Sequence, residues 1–362
     1  MLKMQESMKV QEFEAQAVDA LRNLLGQVSV IKLKEDIRLE PSGPDPGVDG
    51  VAQFNVSGKP HTLVYQCKSN GQPRNVRTAL LQLREHVSRL GKNVTAILIA
   101  PYLSPEAQAL CRESEVGFLD LVGNARLAFN GVFIERIVGN KPPAARRELR
   151  SFFKPKSAQI LRVMLRNPRR AWRVTKLAEA ADVSLGHVSN VRTALLDREW
   201  ARVSPEGLSL SEPDRLVDTW RDAYEPPAGR RVRFYTTLHG STFEEASLKA
   251  LRATDNGGQA ILGSFSAARW LAPYARVSTQ YFYADDTGLD RLQELLKLSS
   301  AAKGENVIIT IPKDHGIFRD ITEPAPGVFC TSVVQTYLDL TTAGERGQEA
   351  ADHLRGEKMK WN

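Results

Sequence analysis

Four polar residues at a suggestive spacing define a first candidate site. Asp45-Pro46-Gly47-Val48-Asp49-Gly50 precedes an apolar stretch, Val51 to Val56, and beyond Gly58 a second stretch ends in Tyr65-Gln66-Cys67-Lys68. If the two pair as a hairpin turning between Ser57 and Lys59, Asp49 falls opposite about Lys68. Strand alternation sends Gln66 and Lys68 to one face and Cys67 to the opposite, apolar one. A carboxylate, an amide oxygen and an ammonium that converge in this way suit Mg²⁺ held by Asp49 and Gln66. Lys68 would orient water or stabilise charge on a phosphate during hydrolysis. Glu14, on a preceding helix, adds a further carboxylate.

A second candidate surface reads nucleic acid rather than cutting it. After the turn Asp182-Val183, Ser184 suits the N-cap of a helix whose Leu185, Val188, Val191 and Leu195 recur at spacings of three and four. The opposite face then carries His187, Ser189, Asn190, Arg192 and Thr193, groups that bond base edges or phosphates in a major groove. Two helices precede it, near 157–167 and 174–181. Ala201-Arg202-Val203-Ser204 and Leu208-Ser209-Leu210-Ser211 flank the turn Pro205-Glu206-Gly207 and form a small hairpin in the position of a wing. From Arg146 to Lys176 eleven Lys and Arg face a single acid, Glu148. Arg169, Arg170 and Arg173 within this run, with Arg202 on the wing, are candidates for phosphate contacts. The alternatives are a solvated helix face and a three-helix interaction module without DNA.

Positioning these groups takes more than one core. The chain has 362 residues, and Pro-rich breaks at Pro142-Pro143 and Glu225-Pro226-Pro227-Ala228-Gly229 read as linkers. They divide it into an α/β domain over 1–143, a winged helix-turn-helix over 150–225 and a second α/β domain over 230–362. The first alternates a helix near 12–25, strands near 29–39, 50–56 and 61–68, a helix at 74–90, a strand at 95–100, a helix after Pro105 and strands near Phe118 and Val132. The third offers a strand at 306–311 and a helix at 290–298. Its chemical clues are sparse: Gly257-Gly258 reads as a turn, and Ser264, Ser266, Arg269 and Trp270 at a helix start suit an anion or a peptide.

With 42% apolar and 25% charged residues, a net charge of +7 and no apolar run near about 18 residues, the sequence reads as a cytoplasmic protein off the membrane. Its N-terminus shows no signal peptide. Three scattered cysteines indicate neither a disulfide framework nor a zinc cluster.

Around Glu14, Asp49, Gln66 and Lys68 the chain resembles the Mrr-like branch of the PD-(D/E)xK nuclease superfamily, over about residues 10–135. The resemblance implies a restriction-endonuclease-like fold, with Glu14 as the helical glutamate, Asp49 as the metal-binding aspartate, Gln66 at the variable position and Lys68 as the lysine. Gln66 in place of a carboxylate removes a charge from the Mg²⁺ site. Either an active endonuclease or a retained fold used for DNA binding follows. The stretch Val116 to Leu127, Gly263 to Tyr274 and Val334 to Leu340 are similar to AbiEi-type antitoxins of type IV toxin–antitoxin systems. That resemblance implies a transcriptional repressor on duplex DNA. A toxin or other protein would bind through the C-terminal domain, and the two-fold symmetry common to DNA sites suits a homodimer.

Overall fold

The computed structural model describes residues 2–33, 48–90, 93–139, 141–252, 258–274, 278–300 and 303–361. Asp45, Pro46, Gly47, Gly257 and most of the strand expected at 29–39 lie outside them. The chain divides into two compact units, one formed by Met1–Arg146 with Leu196–Glu199 and the other by Arg147–Leu195 with Trp200–Asn362. Among the described residues no helix is long and apolar enough to cross a membrane.

In the first unit, α1 (Leu2–Gly26) leads into β1 (Ile31–Leu33), β2 (Gly50–Val56) and β3 (Lys59–Cys67). There follow α2 (Pro73–Leu90), β4 (Val94–Ala100), α3 (Pro105–Glu113), β5 (Gly117–Asp120), β6 (Ala125–Phe129) and β7 (Val132–Arg136). The seven strands lie side by side in chain order. β3, β4 and β5 run parallel and the remaining neighbours antiparallel, so α2 and α3 are the crossovers that parallel pairs require. Period-two alternation sorts the core. Phe54, Leu63, Tyr65, Ile97 and Ile99 pack with Phe13, Ala17 and Leu21 of α1. Val64, Leu98 and Phe118 pack on the other face with Val76, Leu80 and Leu83 of α2 and Cys111 of α3.

β6 was not expected from sequence, and it carries the stretch Val116 to Leu127 into a hairpin. Asp120, fully buried, organises that turn: Oδ1 accepts from the backbone N–H of Val122, Gly123 and Asn124, and Oδ2 from the Leu103 N–H and the Asn124 side chain. Here a carboxylate that looks available in sequence is fully consumed by structure.

The linker expected at Pro142-Pro143 is instead the start of α4 (Pro143–Phe152), where proline at the first helical position loses no hydrogen bond. α5 (Pro155–Arg166), α6 (Val174–Ala181) and α7 (Leu185–Asp197) precede the hairpin β8 (Ala201–Ser204) and β9 (Gly207–Leu210), then α8 (Pro213–Asp222). The other sheet uses β10 (Gly229–Tyr235), α9 (Gly240–Arg252), β11 (Ala260–Leu262), α10 (Ser264–Leu271), β12 (Gln280–Ala284), α11 (Asp286–Leu295) and β13 (Ser299–Ser300). β14 (Val307–Pro312), a 3-10 turn at His315–Arg319, β15 (Ile321–Ala325), β16 (Val328–Thr331), α12 (Val333–Thr341) and α13 (Gly344–Lys358) complete it. Its order is β13-β10-β14-β12-β11-β16-β15, with β12/β14 and β11/β16 parallel. Gly229, expected in a linker, opens β10.

α5 is buried on nearly its whole circumference, from Ala158 to Leu165, including Gln159 and Arg162. An amphipathic surface helix would keep one polar stripe in water. α5 instead serves two cores at once: α6 and the β8–β9 hairpin on one side, the 3-10 turn and α12 on the other.

Candidate nucleic-acid interface

The three helices α5, α6 and α7 and the hairpin position every polar residue proposed for DNA. α6 buries Leu177, Ala178 and Ala181 and ends at Asp182, whose left-handed backbone (φ 51°) lets the Val183 N–H reach the Ala178 carbonyl. Ser184 then caps α7: its Oγ accepts from the His187 N–H at 3.3 Å and lies 2.7 Å from His187 Nδ1. Val188, Val191 and Leu195 are buried, which fixes the roll of the helix. Ser184, His187, Ser189, Asn190 and Thr193 are consequently exposed, and Arg192 is half-buried. Leu185, expected on the apolar face, is 52% exposed, because it sits in the first turn, beyond the core that α5 and α6 supply.

β8 and β9 close a two-residue turn, with Ser204 opposite Gly207. Gly207 is required twice over: its φ is +140°, and a Cβ there would lie 2.4 Å from the Trp172 carbonyl oxygen. That approach exists because Trp172 exchanges both backbone hydrogen bonds with Leu208, adding a third edge to the hairpin that sequence reasoning missed. The Arg170 guanidinium lies 3.8 Å from the centroid of the Trp172 ring, which pins the arginine at the foot of the hairpin. Arg202 is exposed on β8.

The basic run is smaller in effect than its residue count. Arg162 is buried and Arg166 pairs with Asp320; Arg150 pairs with Glu225, Lys156 with Asp314 and Lys176 with Glu179. Arg169, Arg170 and Arg173 are exposed and have no ion pair among the described residues. Arg146, Arg147 and Lys154 are likewise exposed without an ion pair among the described residues, but Arg169, Arg170 and Arg173, with Arg202, are the ones nearest in sequence to the helices and hairpin of the candidate interface.

In the first unit Glu14, Asp49 and Lys68 stay within electrostatic reach of Cys67, while Gln66 turns away from them. The hairpin turns at Ser57-Gly58 and pairs Gly50 with Tyr65, which sets Asp49 opposite Gln66 rather than Lys68. Asp49 Oδ2 accepts from the Cys67 N–H at 2.6 Å. Glu14 is near enough to feel it: its carboxyl is held above the ordinary range, first by burial and then by the Asp49 charge. Burial, then Asp49 and Glu14, also push the Cys67 thiol up to about 12, against the opposing pull of Lys68. Gln66 is turned to the α2 side, where its Nε2 donates to Gln82 Oε1 at 2.9 Å, and its own Oε1 is buried with no hydrogen bond among the described residues.

Mg²⁺ takes six oxygens in an octahedron, commonly one or two carboxylates with water. Asp49 is already engaged by a backbone N–H, Gln66 is held by Gln82, and no group of three or more His, Cys, Asp or Glu among the described residues is arranged to hold a metal. Asp49 Oδ1 and the carboxylate of Glu14 are the oxygens left for an ion among the described residues, and no hydrolytic step is derived through it. Incubated with Mg²⁺ or Mn²⁺, the full chain should leave supercoiled DNA intact, and Asp49→Ala and Lys68→Ala should behave as wild type. Metal-dependent nicking lost in both variants would contradict that.

Residues 209–360 match a family model described as transcriptional regulator, AbiEi antitoxin, type IV TA system. No significant match was found among curated proteins or solved structures. The AbiEi match begins within β9 and runs to the end of α13, so it takes in the whole of the second sheet.

A buried polar network that sequence reasoning did not find joins α5, outside the matched span, to residues inside it. Arg162 of α5 donates to Gln335 Oε1 (3.1 Å) and to the Gly316 carbonyl (3.2 Å), and its Nε lies 3.4 Å from Asp320. A Cβ at Gly316 would lie 1.8 Å from Gln159 Nε2, so the Gln159 side chain would have to move to admit one. Gln335 Nε2 donates onward to Asp339 Oδ1, which also accepts from Tyr224 at 2.5 Å and from Tyr283. The only sequence signal was polar residues interrupting apolar helical patterns, as Gln335 and Asp339 do in α12.

Proposed function

We propose that this protein is a DNA-binding transcriptional regulator, a repressor of AbiEi type, that grips duplex DNA with a winged helix over residues 150–225. In this reading the functional segments are 1–143, a nuclease-like fold without cleavage activity, 150–225 for DNA, and 230–362 for a protein partner. α7 is the recognition helix. Ser189, Asn190 and Thr193 meet base edges, Ser184 and His187 at its start and Arg192 meet backbone, and Arg169, Arg170, Arg173 and Arg202 neutralise phosphates on either side.

The observation that carries the reading is the division of α7: Val188, Val191 and Leu195 are buried while Ser189, Asn190 and Thr193 are exposed, directly before a hairpin. Arg169, Arg170, Arg173 and Arg202 are exposed in the same segment, which suits a polyanionic partner. The match of residues 209–360 to a family of transcriptional regulators points the same way.

The test is binding of the full chain to a selected duplex and to random duplex across salt concentrations. Replacing Arg169, Arg170 and Arg173 together by Ala should flatten the plot of log K against log salt by about 2–3, since each phosphate contact contributes about 0.9 to the slope. Asn190→Ala should leave that slope alone and reduce discrimination by about 1–3 kcal/mol. An unchanged slope in the triple variant, or equal losses of Asn190→Ala on both duplexes, would reject the assignment.

A further inference from the structure

A cavity of about 310 Å³ opens beside the second sheet, between α9 and α10. Nothing in the DNA-binding reading uses it. Its apolar wall is made by Leu238, Phe243, Leu262 and Trp270, two of them aromatic. Its size suits a small organic molecule, and polar side chains, among them Glu244, Ser266, Arg269, Gln280 and Asn306, make up the larger part of its lining.

Most polar groups on the wall are already committed. Asn306 bonds Thr236 through both ends of its amide, and the Thr236 hydroxyl donates to the Leu296 carbonyl. Ser266 donates to Gln280 and accepts from the Tyr281 N–H. Two groups stand apart. The Ser247 hydroxyl is buried, with the residue only 6% exposed, and makes no hydrogen bond among the described residues. A buried hydroxyl without a partner costs about 1–3 kcal/mol. Arg269, half in solvent at the side of the cavity, spends one Nη2 contact of 3.0 Å on Glu244, which also lines the space. Its guanidinium has five N–H donors, so most of its capacity remains.

We infer that this cavity is a binding site for a small aromatic carboxylate. The ring lies against Phe243 and Trp270, and the carboxylate meets the Arg269 fork. Glu244 holds Arg269 in place of the ligand's carboxylate and competes with it. The site stands independently of DNA binding, so either can fail without the other.

Calorimetric titration of the full chain with indole-3-carboxylate and with its neutral carboxamide tests the inference. The carboxylate should bind saturably and more tightly than the amide. Arg269→Ala, a change at an exposed side chain, should weaken the carboxylate by about tenfold, the worth of one charge-assisted hydrogen bond, and shift the amide by less than about twofold. Glu244→Gln should tighten the carboxylate several-fold by removing the competing anion, an effect that a purely structural Arg269 would not produce. Leu248→Trp, which fills the space from the half-buried wall of α9, should abolish binding of both. No saturable heat from either compound, equal affinity for the two, or an unchanged carboxylate affinity in Arg269→Ala and Glu244→Gln would each overturn the assignment.

Discussion

Replacing Arg162 by Ala is expected to destabilise the second unit by about 3–5 kcal/mol, the range for removing one partner of a buried ion pair. Arg162 is 5% exposed, and Asp320, at 2%, is equally out of water. Burial alone drives the guanidinium pKa down, and Asp320 is the largest influence opposing that shift. The loss is therefore more than one contact. Asp320 keeps Arg166, but the Gly316 carbonyl and Gln335 Oε1 lose their donor in the same stroke. For a unit of this size, each kcal/mol corresponds to about 2–4 °C in Tm, so a fall of roughly 6–20 °C should appear in a thermal melt. Arg162→Lys should recover little, because an ammonium cannot span Gln335, Gly316 and Asp320 as a planar fork does. A melt unchanged within about 2 °C in Arg162→Ala would show that the network carries no stability.

Arg162 also marks where sequence and structure part company. In sequence it is one of eleven cations in a basic run, indistinguishable from Arg169 or Arg173. Its partner Asp320 lies far along the chain, and no local pattern links them. Local signals fared better. The apolar period of α7, the Ser184 cap and the turn before β9 each depend on residues within a few positions, and each was legible. Apolar patterning likewise placed β2 and β3, and a continuous apolar run placed β4. β6 and most of the second sheet escaped because short strands buried among small or mixed residues leave little periodicity. Leu185 was misassigned because a heptad-like spacing continues one turn past the core that uses it. The Asp49 register slipped because a two-residue turn and a three-residue turn look alike around Gly58, and a shift of that size decides which residues meet. Gln66 shows the deeper limit: its spacing to Lys68 is what a metal site needs, but the choice between an ion and Gln82 is made by α2, which the motif does not contain.

Asp339 should give the protein an inverted acid response. Burial raises its pKa from 3.8 to about 6, while hydrogen bonds from Tyr224, Gln335 and Tyr283 and the charge of Arg162 pull it down without overcoming the burial. A carboxyl whose pKa is higher folded than unfolded holds its proton in the native state over a window where the unfolded chain has released it. Stability from this group is then fully present below about pH 4, declines as pH rises towards 6, and is flat above. A shift of this size corresponds to on the order of 3 kcal/mol across that window. Other carboxylates contribute their own slopes, so the difference between wild type and Asp339→Asn isolates the effect. Asparagine can still accept from Tyr224 and Tyr283 but cannot titrate. Urea unfolding at intervals from pH 4 to 8 should show Asp339→Asn gaining on wild type by on the order of 3 kcal/mol as pH rises, with the change complete above about pH 6. Arg162 supplies the nearest opposing charge, so in an Arg162→Met background the wild-type carboxyl should titrate higher still and the window should move upward. A difference between wild type and Asp339→Asn that stays constant from pH 4 to 8 would mean that Asp339 titrates normally, and that the three donors around it compensate its burial in full.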